Sequence, residues 1–217
     1  GIMQYKLIIR ASAVISLTIA TLAVTTSAHA EPAPAFSDKG GYSTINSVNK
    51  DCENAIKAAN VKSREKLSFD ICKVQVKTTY SDARTITLQD IQNAKASLST
   101  SDFDSLTKAV AAGTVKSRFY LQQMIHITDS ETQSGIFYFD GARAWVTTTY
   151  RGSTGSHLCV IDWAVGFGVT AQNCYESGSA SERVLSQQWL MSLFLNGFPV
   201  AWSETYTMHV NAAGQAW

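Results

Sequence analysis

The sequence predicts an α+β fold, in which a helical N-terminal segment precedes an antiparallel β-meander of about six strands arranged as a sandwich or a barrel-like layer. Three observations carry this expectation. Apolar residues recur at helical spacing up to Gly113 and alternate with a period of two beyond it. Turn dipeptides such as Asp140-Gly141 and Asn196-Gly197 punctuate the second half, each flanked by apolar runs. Four cysteines, an even number, follow a leader of the export type.

The leader is read first because it sets the compartment. Lys6 and Arg10 precede the apolar stretch from Ala11 to Val24, and Ser27-Ala28-His29-Ala30 offers a small-residue cleavage site. Residues 1–30 are therefore expected to be a signal peptide, with a secreted product beginning at Glu31. An apolar run of this length falls short of the roughly 20 residues needed to span a bilayer, so no membrane residence is expected. Loss of Lys6 and Arg10 takes the 18 basic side chains to 16, against 17 acidic ones. That balance argues against a nucleic-acid partner. Lys57, Lys62, Arg64 and Lys66 are scattered and read as the solvated face of a helix.

Residues 31–49 contain Pro32, Pro34, Gly40 and Gly41 and few large apolar side chains, and are expected to form a flexible arm. Residues 50–113 are expected as a helical segment packed on the sheet. Within it, Cys52, Ile56 and Ala59 share one helical face, and Val74, Val76 and Thr78 alternate in an extended stretch. Thr87 with Asp90 has the capping-box spacing, followed by Leu88, Ile91, Ala94 and Leu98 on one stripe. Ser101 with Asp104 repeats that pattern ahead of Phe103, Leu106 and Val110, and Gly113 stands where a C-terminal cap belongs.

Residues 114–217 are expected as an antiparallel β domain, with further breaks at Ser134-Gly135, Gly152 to Gly155, Gly166 to Gly168 and Gly178. Leu185, Trp189, Met191, Leu193 and Leu195 mark one buried face, and Ile161, Trp163 and Val165 are expected to share a side with Cys159. Either the helices of 87–113 or a second sheet must cover that face. A hairpin about Gly166-Phe167 would set Cys159 opposite Cys174, within disulfide range. Cys52 then pairs with Cys72 by elimination.

Catalytic motifs are missing. Neither Ser153 nor Ser156 stands in a G-x-S-x-G elbow, and H-E-x-x-H, the P-loop and the dinucleotide fingerprint do not occur. His126 shares a side with Tyr120, Gln122 and Met124, whereas His209 alternates onto a polar face and is expected to be exposed. Nothing in the spacing requires a metal or another cofactor, and none is expected. The sequence thus points to a secreted, disulfide-stabilised, non-enzymatic protein acting through protein contacts. Its expected partner is another secreted protein, engaged through the arm, with Phe36, Tyr42 and Trp217 as aromatic anchors. Two alternatives are a hydrolase that uses His126 or His157 with Asp162, and a carbohydrate binder that uses Trp145 or Trp202. For a glycosidase, the carboxylate pair would be Asp162 with Glu204, both within expected strands.

Overall fold

A computed structural model describes residues 38–111 and 115–217; the expected signal peptide, Phe36 and Gly113 lie outside these residues. Within them the chain is mostly antiparallel β-sheet with a minority of helix, an α+β arrangement. The first element is a strand, β1 (Gly41–Val48), whose eight residues pair with β2 (Lys73–Tyr80) from Gly41↔Tyr80 to Val48↔Lys73. Part of the expected flexible arm is thus tied into a sheet. Its run of Tyr, Ser, Thr, Ile and Val has strand propensity, which outweighs the glycines before it.

Asn49 ends β1 and caps α1 (Lys50–Lys62), its side chain accepting from the Cys52 backbone N–H. Cys52 on α1 is bonded to Cys72 just before β2, and both are fully buried. The segment expected to be helical also holds β2 and the short β3 (Arg84–Thr85), and both pair with β4 (Lys116–Ile125). Strands from both sides of the expected boundary at 113/114 therefore share one sheet. The capping box at Thr87 and Asp90 is formed and opens α2 (Leu88–Ala94). The next helix, α3 (Thr100–Ala111), starts earlier than Ser101 suggests. Ser99 with Asp102 offers the same pattern two residues upstream, Ser99 Oγ accepting from the Asp102 N–H. α2 and α3 bury Ile91, Leu106 and Val110 against Trp145 and Tyr138 at one corner of the sheet.

The larger sheet runs β1-β2-β4-β5, where β5 (Asp129–Phe139) then pairs with β6 (Ala144–Trp145) and with β7 (Ser156–Ala164). Gly135, expected as a break, lies inside β5. A Cβ there would sit 1.8 Å from Ser156 O, so glycine permits the close approach of β7. The smaller sheet is a meander of β8 (Gly168–Gly178), β9 (Glu182–Leu195) and β10 (Phe198–Asn211). β9 and β10 are joined by Asn196-Gly197, both residues at positive φ as a type I′ turn requires.

Alternation sets the two inner faces against each other. Met124 of the larger sheet meets Trp189, Met191 and Trp202 of the smaller one, with Cys52 and Ile56 of α1 in the same cluster. Tyr120, Phe137 and Phe139 meet Leu185, Met208 and Val210 in a second cluster. The covering layer is therefore a second sheet with α1 beside it. Trp189, 1% exposed, is the largest fully buried side chain among the described residues; its truncation to alanine would cost about 3–5 kcal/mol.

The Gly166-Phe167 reversal departs from a simple hairpin. Cys159 and Cys174 are bonded, but β7 and β8 form no ladder with each other. Cys159 lies opposite Gln133 on β5, and Cys174 opposite Gln187 on β9. The disulfide thus staples one sheet to the other. Trp163 also departs from the expected face. A register shift makes Glu131 oppose Ile161 and Ser130 oppose Trp163, leaving Asp162 as the extra residue and turning Trp163 outward.

Candidate functional site

Four ionisable side chains converge inside the sandwich. His126 follows β4, Asp129 and Glu131 begin β5, and the turn between the strands is closed by His126 N–H donating to Asp129 O at 2.9 Å. Glu204 comes from β10 in the facing sheet. His126 Nδ1 is 2.7 Å from Asp129 Oδ1 and 3.7 Å from Glu131 Oε2, while Nε2 is 3.0 Å from Glu204 Oε2. None of the four side chains is more than 4% exposed. Glu204 is further fixed by Trp202 Nε1–H at 2.8 Å and the Tyr206 hydroxyl at 3.3 Å, and Thr128 Oγ1 donates to Asp129.

The Asp129 and Glu204 oxygens stand at ion-pair distance from the imidazole, and no N–H or hydroxyl group donates to either oxygen of Glu131, which lies against the Asp129 carboxyl. Burial alone would lower the His126 pKa, yet the flanking carboxylates of Asp129 and Glu204 outweigh it and raise it to about 10. Burial, reinforced by the Asp129 charge, pushes Glu131 up to about 8. Asp129 stays below the usual carboxylate range, because pairing with His126 overcomes the opposing effect of burial.

A ladder of amides lies beside this cluster. His157 Nε2 meets Gln133 Oε1 at 2.9 Å, Gln133 Nε2 donates to Gln122 Oε1 at 2.6 Å, and Trp189 Nε1–H donates to Gln187 Oε1 at 3.0 Å. These partners satisfy amides that would otherwise be costly to bury. An apolar groove of about 510 Å³ borders the cluster, with Val48, Val74, Ile125, His126 and Ile127 in its wall.

The residues singled out from sequence scatter. The histidines keep separate company: His126 with the carboxylates, His157 beside the Cys159–Cys174 sulfurs at 3.7 Å, and His209 with Glu182 at 2.7 Å. Asp162 sits on the outer face of the larger sheet, accepting from Ser130 and Thr132, so it meets neither His126, His157 nor Glu204. Trp145 and Trp202 are buried, whereas Trp163 and Trp217 are half exposed. His209 is less exposed than its alternation suggests because the Trp217 ring stacks on it at 5.3 Å. The Trp217 backbone exchanges hydrogen bonds with His209, which folds the chain end back along β10. Tyr42 is 67% exposed on β1.

Sequence reading passed over Glu131. The signal was present in the alternation of Asp129, Glu131 and Gln133 with Phe137 and Phe139, which commits two carboxylates to a buried face. No known protein family, curated protein or solved structure matches the chain.

Proposed function

We propose that this chain is an exported, disulfide-stabilised protein that acts by binding another protein along the outer edge of β1. One observation carries the reading. β1 stands at the end of the larger sheet, and among the described residues no strand pairs with its other edge. Its sequence, GYSTINSV, has neither charge nor proline, and every residue after Gly41 is exposed. Tyr42, Ile45 and Val48 present apolar surface along it. Free-standing proteins usually blunt such edges with lysine, proline or a covering segment, so an unguarded one is suited to receiving a strand from a partner. The edge at β10 differs, because Gln215 to Trp217 fold back against it.

This reading confines the partner contact to residues 41–48 of the expected arm. Deleting residues 31–49 would also strip β2 of its neighbour and remove the cap of α1. Tyr42→Lys with Ile45→Lys instead guards the edge while keeping the strand. The tagged mature protein, incubated in the culture medium of its source, should retain a stoichiometric partner that the double variant releases. Both proteins should melt alike, since exposed substitutions shift stability by about 0.5 kcal/mol or less. Equal retention by the two, or no partner on the native chain, refutes the proposal.

A further inference from the structure

We propose that His126, Asp129 and Glu131 bind one divalent transition-metal ion inside the sandwich, the ion displacing to solvent the protons held at His126 Nδ1 and Glu131, with Glu204 orienting the imidazole from the opposite sheet. The inference is independent of the binding role assigned to β1. Nδ1 of His126 and a carboxylate oxygen from each of Asp129 and Glu131 all lie within 4.8 Å of one another. Acidic clusters occur without metals, so the argument rests on Glu131. It is wholly buried on the inner face, no N–H or hydroxyl group donates to either of its oxygens, and its polar neighbours are the Asp129 carboxyl and, at 3.7 Å, His126. Two carboxyl groups brought together in an interior are costly to ionise, and native structures resolve such pairs with a shared proton, a water or an ion.

The donor set selects the ion. One imidazole and two carboxylates suit zinc and its neighbours, whereas calcium and magnesium favour oxygen alone. Zinc bonds of about 2.0 Å place adjacent donors about 3.3 Å apart in a tetrahedron. The observed separations of 2.7 and 3.7 Å from Nδ1 bracket that spacing, so modest side-chain rotation would seat three of the four tetrahedral donors, with water as the fourth. Glu204 at 3.0 Å from Nε2 occupies the place of the outer carboxylate that fixes a ligating imidazole, and Trp202 and Tyr206 hold it there. The apolar groove beside β1 has His126 in its wall. Held by side chains no more than 4% exposed, such an ion would clamp the β4–β5 turn and favour the folded state.

The test uses the full mature protein, stripped with EDTA, transferred to chelator-free buffer and titrated with zinc chloride. One equivalent of zinc should survive gel filtration by elemental mass spectrometry, and the melting temperature should rise with zinc and fall back with EDTA. Glu131→Gln keeps the shape and should lose the zinc response. Glu204→Gln should weaken binding by roughly 10- to 100-fold. X-ray absorption at the zinc edge should show nitrogen and oxygen neighbours without sulfur, a readout that stands even if a variant fails to fold. No retained zinc, an undiminished response in Glu131→Gln, or sulfur in the shell overturns the proposal.

Discussion

Removing the Cys159–Cys174 bond should cost less than removing Cys52–Cys72, although chain entropy treats them almost alike. The loops closed span 15 and 20 residues. Loop-closure entropy makes these worth about 3.0 and 3.3 kcal/mol, a difference too small to resolve. Burial separates them. Cys52 and Cys72 are 0% exposed and pack among Ile56, Val74 and Trp202, so replacing that pair by alanine adds lost transfer energy and an interior void to the entropic loss. Cys174 is exposed and Cys159 half-buried, and their replacement opens little space. Urea unfolding of the Cys159→Ala/Cys174→Ala protein should therefore show a loss of about 3 kcal/mol, and the Cys52→Ala/Cys72→Ala protein a clearly larger one. A dithiothreitol titration with alkylation and peptide mass spectrometry gives a second readout, in which Cys159 and Cys174 should be labelled first. Earlier labelling of Cys52 and Cys72, or a larger loss from the 159/174 pair, would refute the reasoning.

Three further outcomes rest on the same structure. Burial lowers the His157 pKa against the opposing charge of Glu176, with Tyr120 and the disulfide as its other close neighbours, so the unfolded chain binds the proton more readily. Its contribution is present above about pH 6.5 and lost as pH falls, so the urea midpoint should drop between pH 7 and 5.5, and His157→Gln should lessen that drop; an equal drop in both proteins defeats the claim. Glu176 acts at lower pH. Although burial would raise its pKa, hydrogen bonds from Thr147 and the pairing with Arg183 depress it, so its contribution is lost as pH falls below about 4.5. Thr87→Ala removes one arm of the capping box and should cost about 1 kcal/mol by urea unfolding, with no measurable loss counting against the cap.

How much was legible depended on the range of the interaction. The capping box at Thr87, the helix through Cys52 and Ile56, and the Asn196-Gly197 turn are decided by residues within four positions of one another, and the chain displays them openly. The Cys159–Cys174 bond was foreseen through a ladder that does not exist, since the two strands part into different sheets after the Gly166 turn. The candidate site was half legible. Alternation placed His126 with Tyr120 and Met124, yet Glu131 and Glu204 gained meaning only from their approach to His126.

By itself the sequence determined the α+β character, the local starts and stops, and which side of most strands is apolar, because these follow from backbone geometry and side-chain period over short stretches. Tertiary structure alone decided that β1 and β2 join the later strands, that Asp162 turns outward at a bulge, and that Glu204 meets His126 from about 80 residues away along the chain. Those outcomes depend on which sheets pack face to face. Two-residue periodicity tells a strand which face to bury but carries no information about what will lie against it.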